Sequence, residues 1–452
     1  MHNTLGPRIV VTRSREEAMY RRCAGTVLLL AGLVGCANLL GLEERTAERD
    51  AGAEDAGFDA TSAAACTPNA RACMGPLQPR VCSLAGLWVD EPPCAAGSHE
   101  CASETATCEP CAAQPAELGA WRVASPVVTA SARYLAMAAY DSTRKQVVLF
   151  GGLPTGQEDR ALSDTWLWNG STWSGALPVT SPSRRFSAAM ADDAARGEVV
   201  LFGGEDYRYA LLSDTWVWNG TSWRQKCGPG MEPCGPRPRT VHAMAYDADR
   251  KRVVMFGGGK TLVQPTLVHV GLALSETWEW DGATWRETCG ETSSTPCALP
   301  GLRGASMAYD PMRKRIVLYG GEGDRVGDNA NLVDRVWEYD GATWSKREEI
   351  TNVPPPRSFA SMTYDTNRAR VVLHGGLAGL GRVHFSDTWE YDGNCWKDVT
   401  TPNALPPPRG IFASSYDAAR AELVVFGGDT PELSAEDATD TTALRPSPGA
   451  SR

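Results

Sequence analysis

The sequence predicts an all-β protein in which six copies of one four-stranded unit follow each other along the chain. Three features lead to this fold class: an Asp-x-x-Arg hairpin, a Gly-Gly pair beginning ten residues after the Asp, and a strand carrying Asp-Thr-Trp or a variant. Such repeats outweigh length, since 452 residues alone would suggest about three ordinary domains. The hairpins are Asp141/Arg144, Asp193/Arg196, Asp247/Arg250, Asp310/Arg313, Asp365/Arg368 and Asp417/Arg420, and the Gly pairs begin at Gly151, Gly203, Gly257, Gly320, Gly375 and Gly427.

Each repeat carries the signals of four antiparallel strands. Apolar runs such as Val147-Val-Leu-Phe150 favour strands, and the Gly pair that follows permits backbone geometry that other residues avoid. We expect the Asp to accept loop amides and the Arg to bond the Asp, which ties the first hairpin. The spaced Trp side chains carry too much apolar area for water, so some must lie between sheets. The last two strands are joined by Asn169-Gly170, Asn219-Gly220, Asp281-Gly282, Asp340-Gly341 and Asp392-Gly393, which predict type I′ turns with positive φ at both residues.

This combination resembles the kelch repeat, which has a double Gly after an apolar strand and spaced aromatic positions. A kelch unit has about 50 residues and forms one β-propeller blade. The interval between Gly pairs ranges from 52 residues after Gly151 to 63 residues after Gly257, which fits that unit with loop insertions. The aromatic pattern departs from the usual one, since Trp-x-Trp or Trp-x-Tyr precedes each turn. The resemblance covers about residues 121–428.

The sixth copy is incomplete in sequence. Residues 411–428 supply two strands, and Gly119-Ala-Trp-Arg-Val123 looks like a fourth strand without its first three. Joining the two ends gives a sixth blade, the usual way of closing a propeller. Its third strand is then missing; residues 433–441 are a weak stand-in, and a three-stranded blade is the alternative. We therefore predict a six-bladed propeller over residues 119–428 and a disordered tail over residues 429–452.

The first 35 residues predict a leader. Met19-Tyr-Arg-Arg22 is a positively charged start, and residues 27–34 form an apolar run too short to span a bilayer. The next motif, Leu33-Val-Gly-Cys36, resembles the bacterial lipobox, in which the Cys is lipidated. The resemblance implies a Gram-negative lipoprotein, and Ala37 after the Cys implies sorting to the outer membrane. An ordinary signal peptide with an incidental Cys is the alternative, and the acidic residues 36–65 are expected to form a flexible linker.

Residues 66–111 contain seven cysteines, which predict a small Cys-rich module. A segment this short needs cross-links to fold, and only Cys108-x-x-Cys111 has the spacing of a zinc ligand pair, so disulfides are favoured. The pattern resembles modules that precede repeat domains in bacterial surface proteins. Cys395 could pair with a module cysteine such as Cys111, or be a free buried thiol.

Variation between the repeats falls on one predicted face, which carries the loops after Gly-Gly and the connections between repeats. The longest loops span residues 259–275, with His269, and 322–334. Disulfides between the cysteines of two connections would close small loops, and each disulfide would raise the free energy of unfolding by about 2–3 kcal/mol. Stiffened, variable loops suit a binding surface, and protection from proteases is the alternative. The expected disulfides are Cys227–Cys234 and Cys289–Cys297.

One arginine opens every repeat, seven or eight residues before the Asp. On a kelch-type propeller these six side chains would ring the central opening, and in some kelch domains Arg at this position engages acidic peptides. A ring of guanidinium groups suits carboxylates, sulfates or phosphates. The alternative, which recurrence in every blade favours, is that each Arg bonds carbonyls of the neighbouring blade. The six are Arg133, Arg185, Arg239, Arg303, Arg357 and Arg409.

Composition and motifs leave three functional hypotheses. The net charge of −10 disfavours a nucleic-acid partner, and no catalytic or phosphate-binding motif occurs. Kelch propellers include copper-radical oxidases and sugar epimerases, but a copper site needs converging His and Tyr, and His374 occupies a strand position equivalent to Phe150. We therefore expect no cofactor and no metal. The hypotheses are a monomeric, membrane-anchored scaffold that binds an envelope or extracellular protein or glycan, a carbohydrate-active enzyme with its site on the loop face, and a structural envelope protein.

Overall fold

The computed structural model describes the side chains of most residues between Trp121 and Leu444. The described ranges are 121–124, 126–156, 160–231, 235–260, 272–290, 293–324, 331–348, 350, 352–378, 383–400, 406–431 and 441–444. In the Cys-rich segment the structure describes the backbone of β1 (Arg71–Cys73), β2 (Pro79–Cys82), β3 (Trp88–Asp90), β4 (Glu100–Cys101) and β5 (Cys108–Glu109). There β1, β2 and β3 form one antiparallel sheet, and β4 pairs with β5. The predicted leader, linker and Cys36 lie outside the described residues.

Every regular element that the structure describes from Trp121 onwards is a β-strand, as the repeat pattern predicts. No helix among the described residues has the length and hydrophobicity to cross a membrane. The strands are β6 (Trp121–Ala124), β7 (Arg133–Tyr134), β8 (Met137–Asp141), β9 (Gln146–Phe150), β10 (Leu153–Pro154), β11 (Thr165–Trp168), β12 (Trp173–Ala176), β13 (Ala189–Asp193), β14 (Glu198–Phe202), β15 (Thr215–Trp218), β16 (Trp223–Cys227), β17 (Ala243–Asp247), β18 (Arg252–Phe256), β19 (Thr277–Trp280), β20 (Trp285–Cys289), β21 (Ser306–Asp310), β22 (Arg315–Tyr319), β23 (Val336–Tyr339), β24 (Trp344–Lys346), β25 (Ser361–Asp365), β26 (Arg370–His374), β27 (Leu377–Ala378), β28 (Val383–His384), β29 (Thr388–Tyr391), β30 (Trp396–Asp398), β31 (Ala413–Asp417), β32 (Glu422–Phe426) and β33 (Thr441–Leu444).

Six four-stranded antiparallel sheets form the blades of a propeller. We number them blades 1 to 6 in chain order and write the strands of each blade from the innermost to the outermost. The blades are β8-β9-β11-β12, β13-β14-β15-β16, β17-β18-β19-β20, β21-β22-β23-β24, β25-β26-β29-β30 and β31-β32-β33-β6. The six innermost strands contact each other in a closed ring. The Asp-x-x-Arg hairpins and the Asn/Asp-Gly turns therefore lie on one face, the hairpin face. The loops after Gly-Gly and the connections between blades lie on the other, the mouth face.

The sixth blade corrects the prediction of an incomplete blade and a disordered tail. β33 lies between β32 and β6, with Phe426 opposite Thr441 and Leu444 opposite Trp121. Residues 441–444 thus form the missing third strand. The sequence predicts only a weak substitute for it, residues 433–441. Thr441 is fully buried and occupies the place of Thr165 in blade 1. Both termini close the ring, as predicted, and the propeller extends to Leu444.

The Asp-x-x-Arg motif ties each hairpin and also joins adjacent blades, which confirms the first role and adds the second. The Arg144 guanidinium donates to both carboxylate oxygens of Asp141 and to the Gly197 carbonyl of blade 2. It also lies against Gly220 of blade 2, where an added Cβ would overlap the guanidinium. The Gly in each turn is therefore needed for contact between blades. The same Asp–Arg ion pair occurs in all six blades.

The turns between the third and outer strands are not type I′ turns, which corrects a second prediction. Gly170 has a φ of 96°, but Asn169 is not among the residues with positive φ. The connection has four residues, and the Asn169 side-chain oxygen accepts the N–H groups of Ser171 and Thr172, each at 3.0 Å. Asn or Asp is required here because its side chain organises the loop, and the other four turns repeat these bonds.

The hydrophobic core is divided among the six seams between adjacent blades. At each seam the Trp that begins the outer strand packs against the last aromatic residue of the preceding blade's second strand, as Trp223 does against Phe150 at 5.2 Å. At four seams the indole N–H also donates to a Thr of the preceding blade. His374 takes the place of Phe150 against Trp121, with ring centroids 4.6 Å apart, which confirms it as a packed strand residue.

Candidate functional site at the mouth face

Six residues at the entrance to the innermost strands form a continuous ring around the channel. Each has a left-handed backbone, with φ between 48° and 59°. Along the ring, five N–H groups donate to the carbonyl of the preceding member over 2.8–3.0 Å. We call this the mouth ring; its members are Leu135, Ser187, Val241, Gly304, Phe359 and Ile411.

Left-handed backbone recurs at two places in each blade, the mouth ring and the residue after the Arg of each hairpin, such as Lys145 and Lys251. Left-handed geometry is sterically unfavourable for residues other than Gly, and most of all for β-branched residues such as Val241 and Ile411. Each such residue costs about 1–3 kcal/mol, and the shared hydrogen bonds compensate for this cost. The hairpin residues with this conformation are Lys, Ala or Gly, whereas the mouth ring includes the β-branched Val241 and Ile411 and borders a cavity, so the mouth of the channel is the candidate site.

The six arginines lie beneath the mouth ring, each one or two residues before a ring member. Their side chains are at most 2% exposed. Arg133 donates to the carbonyls of Ser131 and Gly151 and to both carboxylate oxygens of Asp164, the latter at 2.7 and 2.8 Å. Arg185 and Arg357 repeat the pattern with Asp214 and Asp387.

Charge and burial oppose each other at these pairs. Burial alone would raise the pKa of Asp164, but hydrogen bonds and charge from Arg133 hold that pKa below its usual value. The carboxylate therefore stays ionised, and the pair fixes the entrance of the innermost strand. Asp214 and Asp387 show the same lowered pKa beside their arginines.

These contacts revise the prediction of a ligand-binding arginine ring. Every one of the six guanidinium groups is buried and bonded within the protein, so none presents a face to a ligand. The bonded carbonyls and carboxylates belong to the same blade as the Arg. The alternative prediction, that each Arg bonds carbonyls of the neighbouring blade, is therefore wrong about the partner. Arg239 pairs with Glu276, Arg303 with the Gly323 carbonyl, and Arg409 with the Gly427 carbonyl.

The channel contains a cavity of about 160 Å³ just inside the mouth ring. Ten of its lining residues are apolar or glycine, and the other two are Ser187 and His242. Burial lowers the pKa of His242 to about 3, so the imidazole is neutral at physiological pH, and its ring packs edge-on against Phe202. The lining is Leu135, Ala136, Ser187, Ala188, Val241, His242, Gly304, Ala305, Phe359, Ala360, Ile411 and Phe412.

Sequence reasoning missed the mouth ring and the cavity. The available signal was the second position after the Arg, where apolar residues such as Leu135, Val241 and Phe359 recur without the small size that the neighbouring Ala positions require. An invariant residue in a repeat indicates scaffold, whereas these variable neighbours line the opening.

Buried acidic groups surround the mouth ring on the same face. Burial raises the pKa of Glu205 to about 7, and the Thr240 hydroxyl donates to its carboxylate. Glu322 accepts from Ser358 at 3.1 Å, and His384 Nε2 lies 3.0 Å from Asp429. Among the described residues no cluster of three or more His, Cys, Asp or Glu suits a metal ion.

The mouth-face loops carry one of the two predicted disulfides and several exposed apolar side chains. Cys289 and Cys297 form a disulfide in the connection between blades 3 and 4. Cys227 is also disulfide-bonded, but Cys234 and the candidate His269 lie outside the described residues. Cys395, on the hairpin face, is disulfide-bonded rather than a free thiol. The exposed apolar residues of the loops after Gly-Gly are Tyr207, Leu272 and Val383, and those of the connections between blades include Met231, Leu177 and Val179.

The fold is therefore a six-bladed kelch-type β-propeller, and sequence relatives agree with it. The chain is 28% identical over 207 residues to the Rab9 effector protein with kelch motifs of Mus musculus, covering 44% of this chain and 49% of that protein. It is 24% identical over 213 residues to host cell factor 2 of Homo sapiens, covering 44% of this chain and 25% of the relative.

A shorter similarity reaches a very large protein. The chain is 30% identical over 129 residues to the dynein alpha chain of the flagellar outer arm of Chlamydomonas reinhardtii, covering 27% of this chain and 3% of the relative. The chain thus spans at most about half of the curated relatives it matches. No protein-family model matches the sequence.

Proposed function

We propose that the protein is a noncatalytic protein-binding scaffold whose partner docks on the mouth face. The observation that carries this proposal is the strained mouth ring around an apolar cavity. A partner would insert one apolar side chain through the ring, and the surrounding loops would contact its flanking residues. Because the ring backbone is held by hydrogen bonds between blades, the site is already organised before binding, which reduces the entropy lost on association.

The size and lining of the cavity favour a side chain over a small-molecule substrate. Small-molecule sites usually measure about 300–1,000 Å³ and place a few polar groups around the ligand. The cavity here measures about 160 Å³, and its lining contains no carboxylate. One leucine- or phenylalanine-sized group matches it, and the lining offers apolar contact rather than acid–base chemistry.

The loops around the ring support a protein partner. Tyr207, Leu272 and Val383 belong to loops after Gly-Gly in three different blades and are 46%, 62% and 48% exposed. Exposed apolar and aromatic side chains around a concave centre are typical of protein interfaces. One relative is named as an effector of Rab9, and we extend only the general property of protein binding from it to this chain.

The binding experiment uses the full chain with Cys36→Ser, which prevents lipid attachment. A peptide library is panned on it, and the dissociation constant of an enriched peptide is measured by fluorescence anisotropy. Phe359→Ser introduces a residue that the ring already accepts at Ser187, so the fold should persist while the dissociation constant rises about tenfold or more. Met312→Ser, at a 75% exposed site on the hairpin face, is the matched control and should leave it unchanged.

Two results would contradict a protein-binding mouth. Enriched peptides could bind Phe359→Ser and the unmodified chain equally well, which would place binding elsewhere. Alternatively, the chain could bind immobilised glycans and no peptide, which would favour a glycan ligand.

We further propose that the protein is held at the cell envelope by a lipid on Cys36. The support is the lipobox-like Leu33-Val-Gly-Cys36 after a basic start and a short apolar run. Cys36→Ser should move the protein from the membrane fraction to the soluble fraction, with Cys23→Ser as the control. Membrane association that survives Cys36→Ser would contradict the anchor.

A further inference from the structure

The outer edge of blade 1 differs from the outer edges of the other five blades. β12 is the outermost strand of its sheet and pairs only with β11. Its sequence, Trp173-Ser-Gly-Ala176, contains no charged residue, and Ser174 and Gly175 are exposed. Each other outer strand contains charge: Arg224 and Lys226 in β16, Arg286 and Glu287 in β20, Lys346 in β24, Lys397 and Asp398 in β30, and Arg122 in β6.

Charged side chains protect the outer edges of the other blades. Arg224 pairs with Glu198 at 3.0 Å, and Arg122 pairs with Glu422 at 2.9 Å, each across its own sheet. Charges on an edge strand discourage pairing with another strand, because a partner would have to approach and desolvate them. Blade 1 lacks this protection.

Gly175 has no structural explanation within the chain. It does not adopt a positive φ, and a Cβ added there would meet only the Trp166 ring, at 3.8–4.0 Å, which is ordinary contact. The same register position holds Gln225 in blade 2 and Glu287 in blade 3, opposite the equivalent tryptophans. Gly in a strand weakens it, and one reason for its presence is close approach by another backbone.

Two exposed apolar side chains continue from this edge. Leu177 is 98% exposed and Val179 is 95% exposed, with Pro178 between them. Among described residues, the connection that precedes blade 1 carries two further exposed valines, Val127 and Val128. Single exposed apolar residues are common, but an uncharged edge strand followed by two of them forms a surface suited to a partner.

We propose that β12 pairs antiparallel with β12 of a second copy of this chain, joining two propellers through one eight-stranded sheet. A two-fold axis at Gly175 would place Gly175 opposite its counterpart and Ser174 opposite Ala176 of the other copy. Leu177 and Val179 of one copy would cover part of the other. β12 lies at the outer rim of blade 1, and Leu177 and Val179 follow it in the connection between blades 1 and 2. None of these residues lines the cavity at the mouth ring.

Charge disfavours the equivalent pairing of two copies through blade 2. Homotypic antiparallel pairing of β16 about Gln225 would place Arg224 opposite Lys226 of the other copy, and like charges directly opposite are destabilising. β12 can oppose itself without that repulsion. The chain carries a net charge of −10, so two copies approach most easily where the surface is neutral. A two-fold interface needs only such a self-compatible patch.

Sedimentation velocity of the full chain with Cys36→Ser tests the proposal over a range of protein concentration. We expect a concentration-dependent dimer and increasing hydrogen-exchange protection of the Ser174–Ala176 amides. Gly175→Lys should raise the dimer dissociation constant at least tenfold, because the new charges would face each other. The matched control is Gln225→Lys, which introduces the same residue at the same register position of blade 2 and should leave the dimer unchanged.

A second variant covers the possibility that Gly175→Lys disturbs the blade. Leu177→Ser with Val179→Ser changes only solvent-exposed side chains, so folding is preserved while dimerisation weakens. A chain that stays monomeric at every concentration would overturn the proposal. Binding of an extended peptide to β12 of such a monomer would not rescue it. So would a dimer that both variants leave intact.

Discussion

The seams on the two sides of the propeller solve the same packing problem with different chemistry. At the seam between blades 1 and 2, Leu167 lies with Trp218 in an apolar cluster, and Val217 and Trp280 repeat this at the next seam. At the seam between blades 4 and 5, Glu338 replaces the aliphatic residue and accepts the Tyr391 hydroxyl at 2.9 Å. The seam between blades 3 and 4 is similar, with Glu279 and Tyr339.

The two solutions show that seam residues change as sets. In blades 3 and 4 the third strand has Glu, the Asp-x-x-Arg arginine turns to pair with it, as Arg313 does with Glu338, and the next blade supplies Tyr. Burial opposes the charge of Glu338, but Arg313 holds the pKa of that carboxyl below its usual value. In blades 1 and 2 the third strand is aliphatic and the next blade supplies Trp. The seam between blades 5 and 6 departs from both, because Glu390 pairs with Arg368 but blade 6 has Leu444 at the equivalent position.

The largest effect should come from disrupting the contacts of Glu338 with Arg313 and Tyr391. Glu338→Leu removes one of two acceptors near the Tyr391 hydroxyl and one partner of Arg313, which should lower the free energy of unfolding by about 2–4 kcal/mol. Adding Tyr391→Trp recreates the set found between blades 1 and 2 and should recover more than half of the loss. Urea denaturation of the single and double variants measures both, and a double variant less stable than Glu338→Leu would contradict matched sets.

The hydrogen bonds between Trp and Thr provide a second comparison. Trp285 Nε1 donates to Thr215 of the preceding blade at 2.9 Å. Thr215→Val keeps the side-chain shape but leaves the buried N–H without an acceptor, so stability should fall by about 1–3 kcal/mol. Thr221→Val, at an exposed turn position of the same blade, is the control. An effect no larger than that of the control would show that the bond adds nothing.

The seam between blades 1 and 2 is also the place where an innermost strand lacks tyrosine. Asp192 stands where the other blades have Tyr, and burial, with Asp141 and Asp193 nearby, raises its pKa to about 7. Because the folded state holds this proton more tightly than the unfolded state, stability should fall by roughly 1–2 kcal/mol as pH rises from 5 to 8. Unfolding midpoints across that range should lose this slope in Asp192→Asn. An unchanged slope would assign the titration to another group.

The smallest expected effect is a gain in stability. Blade 4 has Val336 where Thr would accept an indole N–H, and Trp396 Nε1 is buried without an acceptor among the described residues. Val336→Thr should supply that acceptor and add about 0.5–1.5 kcal/mol. A loss of stability, measured by the same urea titration, would mean that the hydroxyl cannot reach the indole.

The sequence predicted what recurs and missed what depends on contact between distant segments. Asp141 with Arg144, the Gly pairs and the buried Trp residues were predictable because each acts within one repeat or between neighbours of fixed spacing. Residues 441–444 were missed because no aromatic marks them, and their strand is defined by pairing with both β32 and β6. The mouth ring was missed because its members share a backbone conformation rather than a residue type.

The repeated arginines illustrate the same limit at the site. Their recurrence was visible, but the choice between ligand binding and scaffold depended on burial, which only the folded ring supplies. Because Arg133 is only 1% exposed, the mouth of the channel is lined by Leu135, Val241 and Phe359 instead. Binding is thus expected from the variable residues next to the arginines.

Hydrogen–deuterium exchange of the full chain with an enriched peptide tests the mouth-face proposal most directly. Binding at the mouth predicts slower exchange in short segments of several different blades, namely residues 133–136, 239–242, 357–360 and 409–412. The hairpins at residues 142–145 and 194–197, on the opposite face, should exchange as in the free protein. Protection confined to the hairpin face, with the mouth segments unchanged, would contradict the account.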